Sequence, residues 1–585
     1  MRFINKIFNS RFGIPVMLLF LVLINGAASF WHTRIDFTNE HRFTLSAGTK
    51  SILKGLDAPI SIDVFLKENY SSGFKKLASS TEDLLRAFKE IAGNNIQYRF
   101  ISPEDAVEGT EITYADTLSA MGLFPINLTA QVKGGQQQQN VYPFALIHFN
   151  DKLLPVELYK GKSPLISFKE LNNAEALLEY NIANGIAKIR QTEKAKIGYA
   201  IGNGEPADYS VYDLAELTLK PNYNLELINI NQQPFINPEF SALLLVKPKI
   251  AFTDPEKLKL DQYIMHGGKV LFFIDLLNAE MDSLQIKNEV VAYDRELNLN
   301  DQLFKYGARI NPNLLMDLQC DFLPFDVNGN GQFELLPWNY FPVIESADNH
   351  PINKNLGFIS GRFVNSIDTV EVEGIKKTIL LHSSVNARTI ATPALISGRE
   401  NVSAPEDDKY KLSNVPVAVL LEGKFKSFFA NRLTNELKDS LAKYGMNFMA
   451  NCDTENKIIV VSDGDIVLNS VVKGNQPLPM GMNPYTYGTQ RAFPFSNKDF
   501  ILNSLDYLIN KNGLSEAKSK DYVLRLLDTK KLNSEKTYWQ IIKINPEKIY
   551  WQSINILLPI YLVIIFAIIF QWLRKRKFTN KFKNE

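Results

Sequence analysis

Three short apolar runs in this chain end in oxygen-bearing residues, and those are the positions where chemistry could be done. Lys196–Ile201 ends in Gly202-Asn203-Gly204-Glu205, Val270–Ile274 ends in Asp275, and Ile458–Val461 runs into Ser462-Asp463-Gly464. In open parallel sheets, ligands bind outside the carboxyl ends of the strands. Glycines at such ends let backbone amides approach a ligand, and three carboxylates can bind a polyol or a cation. A structural role competes with this: Gly-Asn-Gly makes a tight turn, and the aspartates cap helices. The candidate ligand cleft is Gly202, Asn203, Gly204, Glu205, Asp275 and Asp463.

Other motifs fail on spacing. Gly161-Lys162-Ser163 ends like a phosphate-binding loop, but Val156 stands where that loop needs its first glycine. Asp326-Val327-Asn328-Gly329-Asn330-Gly331 starts like a calcium loop, yet Pro337 stands at the position of the bidentate Glu. A polar Asn/Gly turn is the better assignment, with a non-standard site at Glu334 as its rival. None of His32, His41, His148, His266, His350 and His382 has a second His or Cys at metal-ligand spacing, so no metal site is expected. No Gly-x-Ser-x-Gly elbow occurs, and neither Cys320 nor Cys452 follows a strand in a sharp glycine-flanked turn. Two cysteines are too few for a disulfide framework; they read as structural thiols, with one bridge left open. No catalytic residue and no cofactor are expected.

The elements that must position the candidate residues follow from periodicity. Ile60 to Leu66 reads as a half-buried strand, Phe74 to Ile91 as an amphipathic helix, and Ile96 to Ile101 as a strand. With a hairpin of 127–133 and 141–149 around a polar Gly/Gln loop, they form a small α/β domain over 47–160. A helix over about 170–190 bridges to a second domain, 194–510. There strands at 196–201, 225–230, 243–246 and 270–274 alternate with helices at 209–219 and after Thr253-Asp254-Pro255-Glu256, a capping box. Near-continuous apolar strands between helices predict a parallel, Rossmann-like sheet covered on both faces. Val417–Leu421 and Ile458–Val461 complete it, the helix 498–509 packs on it, and an insertion of mixed structure occupies about 285–410.

Two further apolar stretches, 14–31 and 554–573, approach the roughly 20 residues needed to span hydrocarbon. Arg574-Lys575-Arg576-Lys577 after the second, and Arg2, Lys6 and Arg11 before the first, put both ends inside by the positive-inside bias. This predicts two flanking transmembrane helices, cytoplasmic ends at 1–13 and 574–585, a juxtamembrane linker at 511–553, and a periplasmic body held in the inner membrane. A cleaved signal peptide is the rival for 14–31, given Gly26-Ala27-Ala28-Ser29. A net charge of +1 over 585 residues argues against a nucleic-acid surface.

Arg34 to Ser46, Ile-Gly-Asn-Gly-Glu-Pro at 201–206, Thr253 through Gly267-Gly268 to Asp275, and Pro416–Phe425 together resemble the gliding-associated ABC transporter auxiliary proteins, the GldG family of Bacteroidota. The resemblance implies a subunit working with a separate ATPase and a multi-span permease, with inner-membrane lipid around its anchors. It also implies a glutamine-amidotransferase-like domain, of the kind seen in intraflagellar-transport proteins, without the catalytic cysteine. Family members often carry Gly-His-Gly-Glu where this chain has Gly202-Asn203-Gly204-Glu205, so Asn203 weakens any acid–base role for the loop. The expectation is an auxiliary, substrate-binding component of an ABC complex linked to gliding. A membrane-tethered hydrolase or glycan-processing enzyme using Glu205, Asp275 and Asp463 is the alternative.

Overall fold

A computed structural model describes residues 44–520, apart from short breaks such as 160–167, 285–288, 398–406 and 435–440. It also describes the helix 546–579 and residues 19, 22 and 23. Residues 1–522 and 523–585 form two compact units. In the first, β1 (Ile60–Val64) and β2 (Ile96–Phe100) lie parallel, joined by helix α1 (Ser72–Ala92). Strands β3 (Ile126–Val132) and β4 (Gly135–Val141) form a separate antiparallel hairpin. The Gly/Gln stretch expected as a loop is therefore mostly strand. Ladder bonds come from the backbone, which glutamine supplies as well as valine does. Strands β5 (Phe144–Phe149) and β6 (Lys152–Glu157) complete a four-stranded sheet in the order β2-β1-β5-β6. Helix α2 (Phe168–Arg190) then leads to the larger sheet.

That sheet has ten strands. Its first part follows from sequence: β7 (Lys196–Ile201), β8 (Asn224–Asn229), β9 (Ala242–Val246) and β10 (Val270–Phe273) are all parallel, in the order β8-β7-β9-β10. Every residue of β9 and β10 is buried, because both faces are covered. One face carries helix α3 (Asp254–Met265), whose Leu260, Tyr263 and Ile264 join the core around Leu243 and Phe272. The other carries a π-helical turn, Asp213–Leu219, and the C-terminal helix of the body, with Leu214, Phe500 and Leu505 against Leu244 and Phe273.

The rest of the sheet corrects the expected Rossmann-like architecture. Five further strands, β11 (Cys320–Phe325), β12 (Glu334–Ser346), β13 (Ile375–His382), β14 (Pro416–Gly423) and β15 (Asn456–Val461), continue the sheet beyond β10 in the order β15-β14-β13-β12-β11. Only β15 is parallel to β10; β14 runs antiparallel to β15, β13 to β14, and β12 to β13. Three further antiparallel pairs lie in 289–397. The molecule is a mixed α/β protein rich in antiparallel pairing, not an open parallel layer. Val417 to Leu421 are fully buried, and a strand covered on both faces shows the same apolar run whichever way it points. Helices α4 (Asn497–Ile509) and α5 (Ser515–Ser519) close the unit.

The second unit is described by one helix, α6 (Pro546–Thr579). Among the described residues no helix is long and apolar enough to cross a membrane. The first apolar stretch falls, save for residues 19, 22 and 23, outside the described residues. The two flanking transmembrane helices are accordingly not found. The placement in the inner membrane with cytoplasmic ends and a periplasmic body is withdrawn with them.

Candidate functional site

The parallel register brings four strand ends to one edge. Val246 pairs with Phe273, Phe273 with Val461, and Tyr199 with Leu244, so the loops after β7, β9, β10 and β15 are neighbours. The candidate residues sit on these loops, and they separate into two clusters.

At the end of β7, Gly202 and Gly204 have φ of +127° and +81°, a backbone that side chains with a Cβ rarely adopt. A Cβ on Gly204 would stand 3.1 Å from Lys249 Cβ. The turn is tied down through Asn203, whose C=O accepts from the N–H of Lys249 and of Ile250, each at 2.8 Å. Its own N–H donates to Glu205 Oε2 at 2.7 Å, and its Nδ2 donates to Glu256 Oε2 at 3.2 Å. Glu256 also accepts from Thr253 N–H at 2.8 Å, the backward half of the expected capping box. Among the described residues, two buried oxygens, Asn203 Oδ1 and Glu205 Oε1, have no hydrogen-bond partner. Burial, with the Glu256 charge beside it, pushes the Glu205 carboxyl up to about 7.

At the ends of β10 and β15, Asp275 and Asp463 do come together, with Asp465 as a third carboxylate. The centre of this cluster is Lys247, at the end of β9 with φ of +45° and only 4% exposed. Its ammonium lies 2.7 Å from both oxygens of Asp465, 3.0 Å from Asp275 and 3.2 Å from Glu280. Arg295 pairs with Glu280 from the far side. Asp275 Oδ1 accepts from Gly464 N–H at 2.5 Å, and Asp463 accepts from Arg362 N–H and Asp465 N–H, each at 2.8 Å.

The charges divide unevenly. Burial disfavours the Asp465 carboxylate, but Lys247 and Arg362 outweigh it and hold its pKa below the ordinary value. Burial and the charges of Asp275 and Asp465 push Asp463 well above that value. Burial also raises Asp275, only partly countered by Lys247. Burial opposes the Lys247 charge, yet Asp275 and Asp465 carry its pKa well above normal. Three carboxylates, Asp275, Asp465 and Glu280, thus lie against the Lys247 ammonium, with Arg295 on Glu280. The ammonium occupies the place a cation would take between Asp275 and Asp465, so this arrangement can lock strand ends together.

Among the described residues no hydrogen bond or ion pair joins Glu205 to Asp275 or Asp463. Sequence reasoning missed Lys247, Asp465, Glu280 and Glu256 as members. Lys247 directly follows the run Leu243–Val246, and Asp465 stands two residues after Asp463, so both signals were available. The Asp326 carboxylate accepts from the N–H of Asn330 at 3.1 Å and of Gly331 at 3.0 Å, as a polar turn does. Both cysteines are free thiols. The Gly161-Lys162-Ser163 segment lies outside the described residues.

Fold and site together define a mixed α/β protein whose strand-end charges are neutralised from within. Residues 194–504, more than half of the chain, match the auxiliary family described as an ABC-type uncharacterized transport system. The chain belongs to that family. Residues 39–148 match a domain of unknown function. An uncharacterized protein of Borreliella burgdorferi (strain ATCC 35210 / DSM 4680 / CIP 102532 / B31) is 21% identical over 461 residues, 76% of this chain and 82% of that protein. Among solved structures, the mmIFT52 N-terminal domain aligns at a TM-score of 0.29 and 12% identity, covering 54% of this chain and 97% of its own.

Proposed function

We propose that this chain is a non-catalytic auxiliary subunit that binds a separate multi-span permease and a separate ATPase, in an ABC transport complex that serves surface gliding. The family match over 194–504 supports the transport role, and the resemblance carried by the 201–206, 253–275 and 416–425 segments supports the gliding link. The observation that carries the non-catalytic part is the Lys247 cluster. Asp275 and Asp465 are held in ion pairs at 3.0 and 2.7 Å, which favours a structural use of those carboxylates over a hydrolase. The Gly202–Glu205 loop is the proposed substrate contact, because among the described residues no donor reaches Asn203 Oδ1 or Glu205 Oε1. Asp275 and Asp463 then serve it by fixing the neighbouring strand ends.

Affinity purification of the full chain from its own cells tests the subunit role: an ATPase and a permease are expected to copurify. Recovery of the chain alone under mild extraction would overturn it. Glu205→Ala is expected to abolish transport while both partners still copurify. Loss of the partners as well would make the loop a scaffold contact.

A further inference from the structure

Between β6 and α2 on one side and α4 and α5 on the other lies a cleft of about 360 Å³, within the range of small-molecule sites. It uses none of the residues of the strand-end loops. Its hydrogen-bonding groups are unevenly spent. Asn184, on α2 and 9% exposed, has its Oδ1 buried with no donor among the described residues. Asn181 Nδ2 is committed to the Glu157 carbonyl at 3.1 Å and Asn222 Nδ2 to the Thr218 carbonyl at 3.0 Å. Among the described residues no donor is paired with the side-chain oxygen of either amide.

The same cleft is lined by a buried cation. Lys518, 5% exposed, donates from Nζ to Asn503 Oδ1 at 2.8 Å and lies 4.8 Å from the Tyr180 ring. Among the described residues no carboxylate forms an ion pair with it. Asp506 is already engaged by the hydroxyls of Tyr180 at 3.2 Å and Tyr223 at 2.8 Å, and by Lys188 at 3.5 Å. Burial pushes the Lys518 pKa down to about 8, so the ammonium is still charged at neutral pH.

A buried acceptor without a donor and a buried ammonium with only a neutral acceptor call for groups that both donate and accept, which is what a hydroxyl does. An anion would satisfy Lys518 and leave Asn184 unpaired. A cationic amine would satisfy Asn184 but bring to Lys518 a group that only donates. We propose that this cleft between the small sheet and the C-terminal helices of the body binds a neutral polyhydroxylated molecule of saccharide size, with Asn184 accepting from it and Lys518 donating to it. Leu177 and Leu502 in the same walls offer apolar surface for its C–H groups. The assignment does not depend on which transporter components the chain meets.

Thermal unfolding of the full chain, titrated to about 50 mM with glucose, N-acetylglucosamine, myo-inositol, gluconate and glucosamine as probes, tests this. A saturable rise in Tm with at least one neutral probe is expected, and it is expected to vanish in Asn184→Leu and in Lys518→Met. No saturable rise with any probe would overturn the assignment. So would a rise largest with gluconate or glucosamine, or one that survives both substitutions. Asn181→Leu, at the rim, keeps the test decisive if a buried variant fails to fold. It is expected to weaken binding at least ~3-fold, as loss of one hydrogen bond does, and unchanged affinity would overturn the proposal.

Discussion

Lys247 Nζ lies 2.7 Å from each carboxylate oxygen of Asp465, a two-point pair between the loops of β9 and β15, two strands that are not neighbours in the sheet. Strand β10 lies between them, and its Asp275 is 3.0 Å from the same ammonium. One side chain thus ties three strand ends.

Removing that ammonium leaves carboxylates buried without a cation, and breaking such a pair costs about 3–5 kcal/mol. Lys247→Met is expected to lower the stability of the body by that order in urea unfolding followed by circular dichroism. Adding Asp465→Asn to it is expected to restore part of the loss, because the uncompensated charge goes too. A loss under about 1 kcal/mol, the range of exposed pairs, would show that water reaches the cluster.

Glu205 sets a pH dependence of the opposite sign to an ordinary ion-paired carboxylate. Its folded pKa of about 7 lies above the reference value of 4.5. Between those values the folded chain holds the proton and the unfolded chain does not. This contribution is therefore present at low pH and is lost as pH rises through 7. The full span is roughly 3 kcal/mol. Glu205→Gln keeps an acceptor for Asn203 N–H and cannot ionise, so it is expected to be more stable than the parent at about pH 8 and nearly equal at about pH 4, below the unfolded pKa. Parallel stability–pH curves for the two proteins would refute the burial of this carboxyl.

Neither cysteine should behave as a reactive thiol. Burial, with Asp317 and Asp321 nearby, pushes Cys320 up to about 12, and burial pushes Cys452 up to about 11. The thiolate is the nucleophile, so at pH 8 less than about one part in a hundred of either is reactive. Titration with a chromogenic disulfide reagent is expected to be slow in the folded protein and to give two thiols in denaturant. A fast phase before unfolding would contradict this.

Asp506 accepts hydroxyl hydrogen bonds from Tyr180 on α2 and from Tyr223, so it links the helix of the small sheet to the large one. Hydrogen bonds to a charged group are worth about 1.5–3 kcal/mol. Tyr223→Phe is expected to lose stability in that range, read from the urea midpoint at unchanged slope. Tyr180→Phe should lose less, since its bond is longer, at 3.2 Å against 2.8 Å. The reverse order would mean that Asp506 is held from the α2 side.

Local pattern made much of the parallel half legible. Leu243–Val246 and Val270–Phe273 are apolar without alternation because both faces are buried, and Thr253 with Glu256 marked the start of α3 through a bond that spans three residues. The antiparallel half was not legible, because Val417–Leu421 carries no signal of direction. Strand direction depends on where the chain returns from the 289–397 pairs. The site divides in the same way. Asp275 and Asp463 were visible as strand-end carboxylates, whereas Lys247 looked like one more lysine after an apolar run.

By itself, the sequence determined the strands of the parallel half, the start of α3, the glycine turn at 202–204 and the residues standing at the strand ends, since each depends on neighbours within a few positions. Tertiary structure alone decided that β14 turns antiparallel and that Glu205 stands with Glu256 rather than with the aspartates. It also decided that an ammonium fills the space between Asp275 and Asp465. Those outcomes depend on contacts across tens to hundreds of residues, where burial and Coulomb attraction act on whatever the fold brings within a few ångströms.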